Sequence, residues 1–389
     1  MNDTESRLRD YLDTKAATVP GTAQGPGLLT DTSPRRPIWP ILATAASVAA
    51  VLALTVTVLT HVGADKAEPA GKPAPLTSDV PQVPFTIIDA KHNRTVYDGS
   101  QKVAAPPELH GFSARVDGGW IARYYKMSKS KTDPDVTDSS IGILQPDGKY
   151  RAVSTPWADT PVVSPDHKQI AFVGRAKRGD EKNNWLAVVD ARTGTEVARV
   201  SLPDVTPVLS GWNRSGIWIS SGGFNKSGLA VWRPGDSTVT RVRMPAGFGA
   251  IEVNPADDTI AFGTTTGAKR CLQAAAVRDG KLDVLQEYCD RGPVAIYPVL
   301  STDGKTMLHS ADNLAVDVAT GKTTKLKLPH PIIVYPKPMF EDATKVLVVT
   351  QAAGNDANAQ SLYRCDVTSG ECKLVRTEKK GNQIVLAQP

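Results

Sequence analysis

Short catalytic motifs are what this sequence most clearly lacks. Its six histidines are scattered and form neither a His-Glu-x-x-His motif nor a His-x-His pair, so no metal site is indicated. A Gly-x-Ser-x-Gly elbow and a glycine-rich phosphate loop are also absent. The net charge of +5 is spread along 389 residues, which argues against a nucleic-acid partner. We therefore expect no enzymatic activity, no cofactor, no metal and no nucleic acid.

Cysteine is scarce as well, and its four positions fall into two pairs. Cys271 and Cys289 lie on either side of a turn at Asp279-Gly280, and Cys365 and Cys372 lie on either side of a second turn. A zinc knuckle would need two cysteines separated by two residues, which is not found here. The spacing predicts two disulfides that each link facing strands, and disulfides are typical of an oxidising compartment.

One long hydrophobic run interrupts an otherwise polar chain. Residues 38–64 contain no charged side chain, and the twenty residues 41–60 are apolar or small, enough to span a bilayer as a helix. Arg35 and Arg36 precede the run, which favours a cytoplasmic N-terminus. The sequence predicts an uncleaved signal anchor at 38–64, with everything after it outside the cell membrane. A signal peptide cleaved after Val62-Gly63-Ala64 is the alternative.

The segments on either side of the run have different characters. Residues 1–37 form the predicted cytoplasmic tail, which begins with a short amphipathic helix that ends at Pro20. This helix either docks a cytosolic protein or is a solvated extension of the anchor. Residues 65–83 are rich in proline and predict an extended stalk. The tail residues predicted to dock a partner are Leu8, Tyr11, Leu12 and Val19.

The remaining residues, 84–389, contain two turn motifs that alternate along the chain. One precedes a short apolar strand, as at Ser164-Pro165-Asp166-His167 and Ser301-Thr302-Asp303-Gly304. The other has the form Asp-x-x-Thr/Ser-Gly, as in the turns that begin at Asp190, Asp317 and Asp366. Hairpins of the second kind recur about every 44 residues, the period of a four-stranded propeller blade. The pattern predicts an all-β fold, a seven-bladed β-propeller.

Closure of the ring can also be predicted from the strand pattern. The first hairpin, within 85–103, has no turn motif before it, and the last strand, 384–387, has no hairpin after it. We expect these terminal strands to share one blade, because pairing them removes an exposed sheet edge.

The Ser-x-Asp-Gly turns before short strands such as Ile170-Ala171-Phe172 resemble those of TolB-type and WD40-like propellers, over about residues 84–389. The Trp-Asp and Gly-His pairs of WD40 repeats are absent. The plan of tail, single span, stalk and propeller is similar to that of actinobacterial membrane propeller proteins. Some of these are associated with extracytoplasmic-function sigma factors, so the resemblance implies a sigma-factor-like regulator as the partner of the tail.

The turn phase also predicts where a ligand would bind. Both short turns of each blade should lie on one side of the ring, called the turn face here, and the longer connections on the other, called the loop face. Rigid blades commonly present binding residues on such loops. For each candidate, a packed or solvated loop residue is the alternative. The candidates on the loop face are Trp157, Arg175, Lys177, Arg178, Phe248, Arg291, His330 and Tyr335.

Taken together, these features predict a membrane-anchored extracytoplasmic propeller that binds a protein or an envelope ligand, or senses one, and signals through its tail. Two alternatives remain at this point. The ring is a scaffold for assembly at the cell envelope, or it is a propeller hydrolase or lyase. A convergent acid/base pair on the loop face would favour the enzyme.

Overall fold

The computed structural model describes residues 80–387, with gaps at 128–135, 155–156, 178–182, 204–206, 222–227, 246, 268, 279, 291–297, 334–336 and 352–358. The predicted tail (1–37), the predicted span (38–64) and residues 65–79 of the stalk lie outside this part. Within the described residues, no helix is long and apolar enough to cross a membrane. The anchor, its cleavage and its orientation therefore stay predictions.

Seven antiparallel sheets form the described part of the chain, and they are the blades of a β-propeller. Six sheets have four strands and one, blade 6, has three. This confirms the predicted all-β, seven-bladed fold. In blades 2 to 5 and 7, each strand pairs with the next strand of the chain, so the first strand of the blade lies innermost and the last lies at the rim.

The strands follow one another in chain order. Blade 1 contains β1 (Phe85–Ile88), β2 (Arg94–Asp98) and β3 (Gln101–Ala105); blade 2 contains β4 (Leu109–Val116), β5 (Gly119–Met127), β6 (Val136–Leu144) and β7 (Tyr150–Ala152). Blade 3 contains β8 (Asp159–Val163), β9 (Gln169–Arg175), β10 (Asn183–Asp190) and β11 (Glu196–Pro203); blade 4 contains β12 (Pro207–Asn213), β13 (Gly216–Ser221), β14 (Leu229–Trp232) and β15 (Thr240–Val242). Blade 5 contains β16 (Phe248–Val253), β17 (Thr259–Thr266), β18 (Lys269–Arg278) and β19 (Lys281–Asp290). Blade 6 contains β20 (Thr306–His309), a 3-10 turn (Ser310–Asp312), β21 (Leu314–Asp317) and β22 (Thr323–Lys325). Blade 7 contains β23 (Met339–Phe340), β24 (Lys345–Gln351), β25 (Gln360–Asp366) and β26 (Cys372–Thr377), and β27 (Gln383–Leu386) returns to blade 1.

The first turn motif has the same hydrogen bonds wherever serine begins it. Ser164 Oγ donates to Asp166 Oδ1 (2.6 Å) and accepts from the Gln169 N–H (2.9 Å). Ser301 repeats both bonds with Asp303 (2.7 Å) and with the Thr306 N–H (2.9 Å). The serine hydroxyl thus closes the turn between the first and second strands of the blade, which explains why the motif marks those positions in the sequence.

The second turn motif is closed by its aspartate. Asp317 Oδ1 accepts from both the N–H and the hydroxyl of Thr320 (2.7 Å each), and the Gly321 N–H donates to the Asp317 carbonyl (2.8 Å). Gly321 has a φ of 71°, which costs glycine little but would strain other residues. Asp190 and Asp366 begin turns of the same form. These local bonds hold the outer hairpin of each blade.

Stability should fall in acid because these aspartates are hydrogen-bonded as carboxylates. The hydrogen bonds from Thr320 lower the pKa of Asp317, and those from Thr193 lower the pKa of Asp190. A lowered folded-state pKa stabilises the fold above the unfolded-state pKa of about 3.9, and this stabilisation is lost as the pH falls through the folded-state pKa. We expect the melting temperature to decline below about pH 4. Asp317→Asn should make that decline shallower, and an unchanged acid slope in this variant would contradict the account.

The first and last strands of the propeller meet in blade 1, as predicted. Strand β27 pairs with β1 in an antiparallel register that joins Leu386 to Phe85 and Ile384 to Ile87. Strand β27 is innermost in this blade, and the order of its sheet is β27-β1-β2-β3. Ile384 and Leu386 are fully buried and pack with Leu347 and Val349 of blade 7. The apolar core therefore lies between neighbouring blades, and the last strand completes it.

Both predicted disulfides are present. Cys271 and Cys289 face each other on β18 and β19 of blade 5, and Cys365 and Cys372 face each other on β25 and β26 of blade 7. In each pair the Cα atoms are 4.0 Å apart, as in facing residues of neighbouring antiparallel strands. Each disulfide thus crosslinks the two outer strands of one blade.

Reduction of the disulfides should destabilise the ring without changing its fold. Closing loops of 18 and 7 residues restricts the unfolded chain, and the loop-entropy estimate is about 3 and about 2 kcal/mol respectively. Denaturant unfolding of the oxidised chain, compared with the paired Cys→Ser variants, measures both values. Intact mass should rise by four hydrogens on reduction of the unfolded chain, and equal masses would contradict the disulfides.

Candidate functional site

The innermost strands of four consecutive blades carry the same irregularity. Strands β8, β12 and β16 each have one extra residue inserted opposite the neighbouring strand, and β4 has two such insertions. Such a β-bulge redirects side chains and is common beside binding and active sites. The repetition in blades 2 to 5 places a ring of bulges around the axis of the propeller. The bulged segments contain His110, Thr160-Pro161, Ser210 and Gly249-Ala250.

Thr160 is the most constrained residue of this ring. Its φ is +47°, a left-handed conformation that a β-branched residue rarely adopts and that costs about 1–3 kcal/mol. The Thr160 N–H donates to its neighbour Asp159 Oδ1 (2.8 Å), and the Leu209 N–H of blade 4 lies 3.5 Å from Thr160 Oγ1. Surrounding contacts thus hold Thr160 in a strained backbone, a feature that clusters at functional sites.

An ion pair between Arg123 and Asp159 connects blades 2 and 3 at the bulges. Arg123 Nη1 lies 2.7 Å from Asp159 Oδ1, and the two side chains are 37% and 42% exposed. The guanidinium passes over Gly111 of the inner strand, where a Cβ atom would lie 3.1 Å from Arg123 Nε. Because glycine has no side chain, position 111 leaves room for the Arg123 side chain to cross the strand.

A second ion pair lies on another part of the same wall. Glu252 of β16 binds Lys337, which precedes β23, and the two side chains are only 12% and 16% exposed. In the chain, Lys337 lies between Ile332, which pairs with Thr350, and Met339, which pairs with Leu347. The ion pair joins blades 5 and 7, which are not neighbours in the ring.

His110 contributes a neutral imidazole. Arg94 Nη2 lies 3.2 Å from His110 Nδ1, and because a guanidinium only donates hydrogen bonds, Nδ1 accepts and the ring proton resides on Nε2. Burial lowers the pKa of His110, and the Arg94 charge lowers it further. The imidazole also packs against Tyr125, with 5.2 Å between ring centroids. His110 is therefore an uncharged donor at neutral pH.

His110, Arg123, Thr160, Glu252 and Lys337 line a cavity of about 420 Å³ between the inner strands of the propeller. Its volume is within the range of small-molecule binding sites. Its wall has both polar and apolar residues. Val208, one of the apolar residues, is 40% exposed. The wall residues used below are His110, Phe112, Arg123, Thr160, Val208, Ser210, Ser220, Ile251, Glu252 and Lys337.

Of the loop-face residues predicted from the sequence, none of those that the structure describes lines this cavity. Trp157 is half-buried, with a φ of +63°, and lies two residues before Asp159. Arg175 is half-buried and donates from Nε to Asn184 Oδ1 (3.1 Å), whereas Lys177 is exposed. His330 is half-buried between blades 6 and 7. Arg178, Arg291 and Tyr335 lie outside the described residues.

Phe248 does not lie on a binding surface. Its side chain is 3% exposed and packs edge-on against Phe262, in a core cluster with Trp218 and Leu229. The packed alternative considered for the loop residues is therefore the correct one for Phe248. It begins β16 immediately before the bulge, so burial of its ring fixes the start of the inner strand.

The cavity residues could have been suspected from one signal in the sequence. Gly111, Gly211 and Gly249 interrupt strands that are otherwise apolar, and glycine within a strand often marks a bulge. Asp159-Thr160-Pro161 is a second polar interruption of the same kind. The pairing of Arg123 with Asp159, 36 residues apart, has no comparable signal.

A metal centre finds no support from the one group of suitable ligands among the described residues. Cys271, Glu287 and Cys289 come close together, but both sulfur atoms belong to a disulfide. A disulfide sulfur has no thiolate to offer a metal ion.

Comparison with solved structures finds chains of low sequence identity. No family model matches this chain, and no curated protein matches it. TolB from Acinetobacter baumannii is 16% identical, with 64% of this chain and 63% of that chain covered and a TM-score of 0.41. A periplasmic gluconolactonase from Pseudomonas aeruginosa is 14% identical (79% and 100% covered, TM-score 0.43). The propeller domain of the Trilobed protease from Pyrococcus furiosus is 16% identical (68% and 84% covered, TM-score 0.43).

Proposed function

We propose that this chain is a non-enzymatic binding or sensing module, and that its ligand is held in the axial cavity. One observation carries the proposal: four consecutive inner strands are bulged, and the bulged segments surround a cavity lined by Arg123, the Glu252–Lys337 ion pair and a neutral histidine. A repeated departure from regular strand geometry, with one strained threonine, is a feature of sites rather than of cores.

Binding is favoured over catalysis because the carboxylate on the cavity wall, Glu252, and the carboxylate beside the wall, Asp159, are both engaged by cations. Asp159 is paired with Arg123, and Glu252 is paired with Lys337. A carboxylate held by a neighbouring cation is already engaged as an acceptor, whereas a general acid or base has to face the proton of a substrate. These pairs therefore support recognition of a ligand by fixed charges.

We also propose that the propeller is extracytoplasmic and anchored by residues 38–64. The charge-free run and Arg35-Arg36 support an anchor with the N-terminus inside. The two disulfides are in keeping with an oxidising compartment. In this proposal, a cytosolic regulator of the sigma-factor type docks on the tail and receives the signal of ligand binding.

Site-specific photo-crosslinking in the producing cell tests the cavity as the binding site. A photoreactive residue replaces Val208, which is 40% exposed on the cavity wall, in the full chain. The matched control replaces Val197, which is 53% exposed on the rim strand β11. A mass shift or a larger band should form from position 208 and not from position 197.

The type of adduct distinguishes the competing functions. A small mass increase at position 208 indicates a small ligand, and a band of protein size indicates a partner that inserts a loop. An adduct only at position 197 would contradict the cavity proposal and favour a scaffold that uses its rim. The absence of adducts at both positions in a folded chain would also contradict it.

A further inference from the structure

The charged side chains of the cavity wall, Arg123, Lys337 and Glu252, are balanced by ion pairs, one of which is made with Asp159 beside the wall. Two cations, Arg123 and Lys337, are matched by two carboxylates, Asp159 and Glu252, and the pairs involve different blades. Around the neutral His110, the charges of Arg94 and Glu108 act on its pKa in opposite directions. A ligand with net charge would be attracted by one member of each pair and repelled by the other. Charge balance therefore selects against simple anions and cations.

An existing ion pair accepts a hydroxyl more readily than a charged group. A hydroxyl both donates and accepts, so it can accept from the guanidinium of Arg123 on the wall and donate to a neighbouring acceptor while the pair with Asp159 stays intact. A ligand carboxylate or ammonium can bond only one of the two partners and would compete for it. About two-fifths of each side chain is exposed, so this mode of binding has room at the pair.

The rest of the cavity wall offers both hydrogen-bonding hydroxyls and apolar surface. Ser210 Oγ donates to Ser220 Oγ (3.0 Å), and Ser220 Oγ donates to the Val208 carbonyl (3.2 Å), which forms a short chain of hydroxyls. Beside it, the Val208 side chain offers an exposed apolar surface. A wall of hydroxyls with apolar patches matches a molecule that has hydroxyl groups on its edges and C–H groups on its faces.

We infer that the axial cavity binds a neutral, hydroxyl-rich molecule of mono- to disaccharide size. The inference rests on the proposed function and adds the chemical class of the ligand. Arg123 binds one hydroxyl, Ser210 and Ser220 bind a further one, and Val208 packs on a C–H face. Lys337 and Glu252 close the opposite part of the wall.

Titration calorimetry on the full-length chain tests the ligand class. The probes are trehalose as a neutral disaccharide, glucuronate as an anion and glucosamine as a cation. Trehalose should bind saturably and at least about tenfold more tightly than either charged sugar, which is the effect of one disrupted hydrogen bond to a charged group. Tighter binding of a charged sugar would overturn the inference.

Two serine variants separate the cavity from general effects on the fold. Ser210→Ala removes the hydroxyl chain in the cavity and should weaken trehalose binding by about fivefold to tenfold. Ser361→Ala removes a similar hydroxyl pair with Thr377 (3.2 Å) in the outer strands of blade 7 and should leave the affinity unchanged. Equal effects of both variants would overturn the inference.

The same set of measurements distinguishes failure of the ligand class from failure of the proposed function. If no sugar binds but cross-linking at position 208 still yields an adduct, the neutral-polyol inference is wrong and the cavity remains the binding site. If no sugar binds and position 208 yields no adduct, both are wrong.

Discussion

A chain that ends at Lys380 is expected to lose the folded ring. This truncation removes β27 and with it the fully buried side chains of Ile384 and Leu386. Large-to-small changes at such positions cost roughly 2–5 kcal/mol each. The sum approaches the roughly 5–15 kcal/mol that stabilises a whole domain. The truncation also exposes the edge of β1 and one side of blade 7.

Circular dichroism and denaturant unfolding measure this effect, and a chain that ends at Ala387 is the matched control. The control keeps all of β27 and should unfold like the full chain. Ile384→Ala gives an intermediate case, with a loss of roughly 2–5 kcal/mol. A cooperative transition of unchanged midpoint for the chain that ends at Lys380 would show that blade 1 does not close the ring.

Glu341→Ala is expected to be strongly destabilising because it breaks a buried ion pair of blade 7. The Glu341 side chain is 2% exposed, and its carboxylate accepts from Nε and Nη2 of Arg364. The same carboxylate also accepts, through Oε1, from the Gln82 N–H (2.6 Å). Arg364 Nη2 donates in addition to the Val80 carbonyl (2.9 Å). The pair thus fixes residues 80–82 to the turn between β23 and β24. Removing one partner of a buried ion pair costs about 3–5 kcal/mol, because the other charge is left buried.

A double variant separates the contribution of the ion pair to stability from that of the packing around it. Arg364→Met with Glu341→Gln replaces both charges by side chains of similar size and should destabilise less than Glu341→Ala alone. Limited proteolysis near residue 80 should accelerate in Glu341→Ala, since the bonds to Val80 and Gln82 are weakened. Equal stability of Glu341→Ala and the parent would contradict this role.

Local chemistry explains why the architecture was predictable from the sequence. The Asp317 and Ser301 turns are closed by bonds within six residues, so their motifs are visible in the chain and fix the phase of the strands. Closure by β27 followed from counting strands against turns. The disulfides followed from the same phase, because Cys271 and Cys289 lie at equal distances from one turn.

The cavity was not predictable in the same way because its contacts join distant parts of the chain. Glu252 and Lys337 are 85 residues apart and meet only because the ring brings blades 5 and 7 together. Bulges also reverse the direction of side chains along an inner strand, so alternation does not show that Thr160 and Ser210 face the axis. Phe248 was predicted to lie in a loop, but it is the first residue of β16 and its ring is buried.

Hydrogen exchange of the backbone amides tests the central claim, that ligand is held by the bulged inner strands, most directly. The full chain is measured with and without the envelope fraction of the producing cells. The account predicts slower exchange in peptides that cover the bulges of β4, β8, β12 and β16, with little change in the rim strands β11, β15 and β19. Slower exchange confined to the rim strands, or no change anywhere, would contradict it.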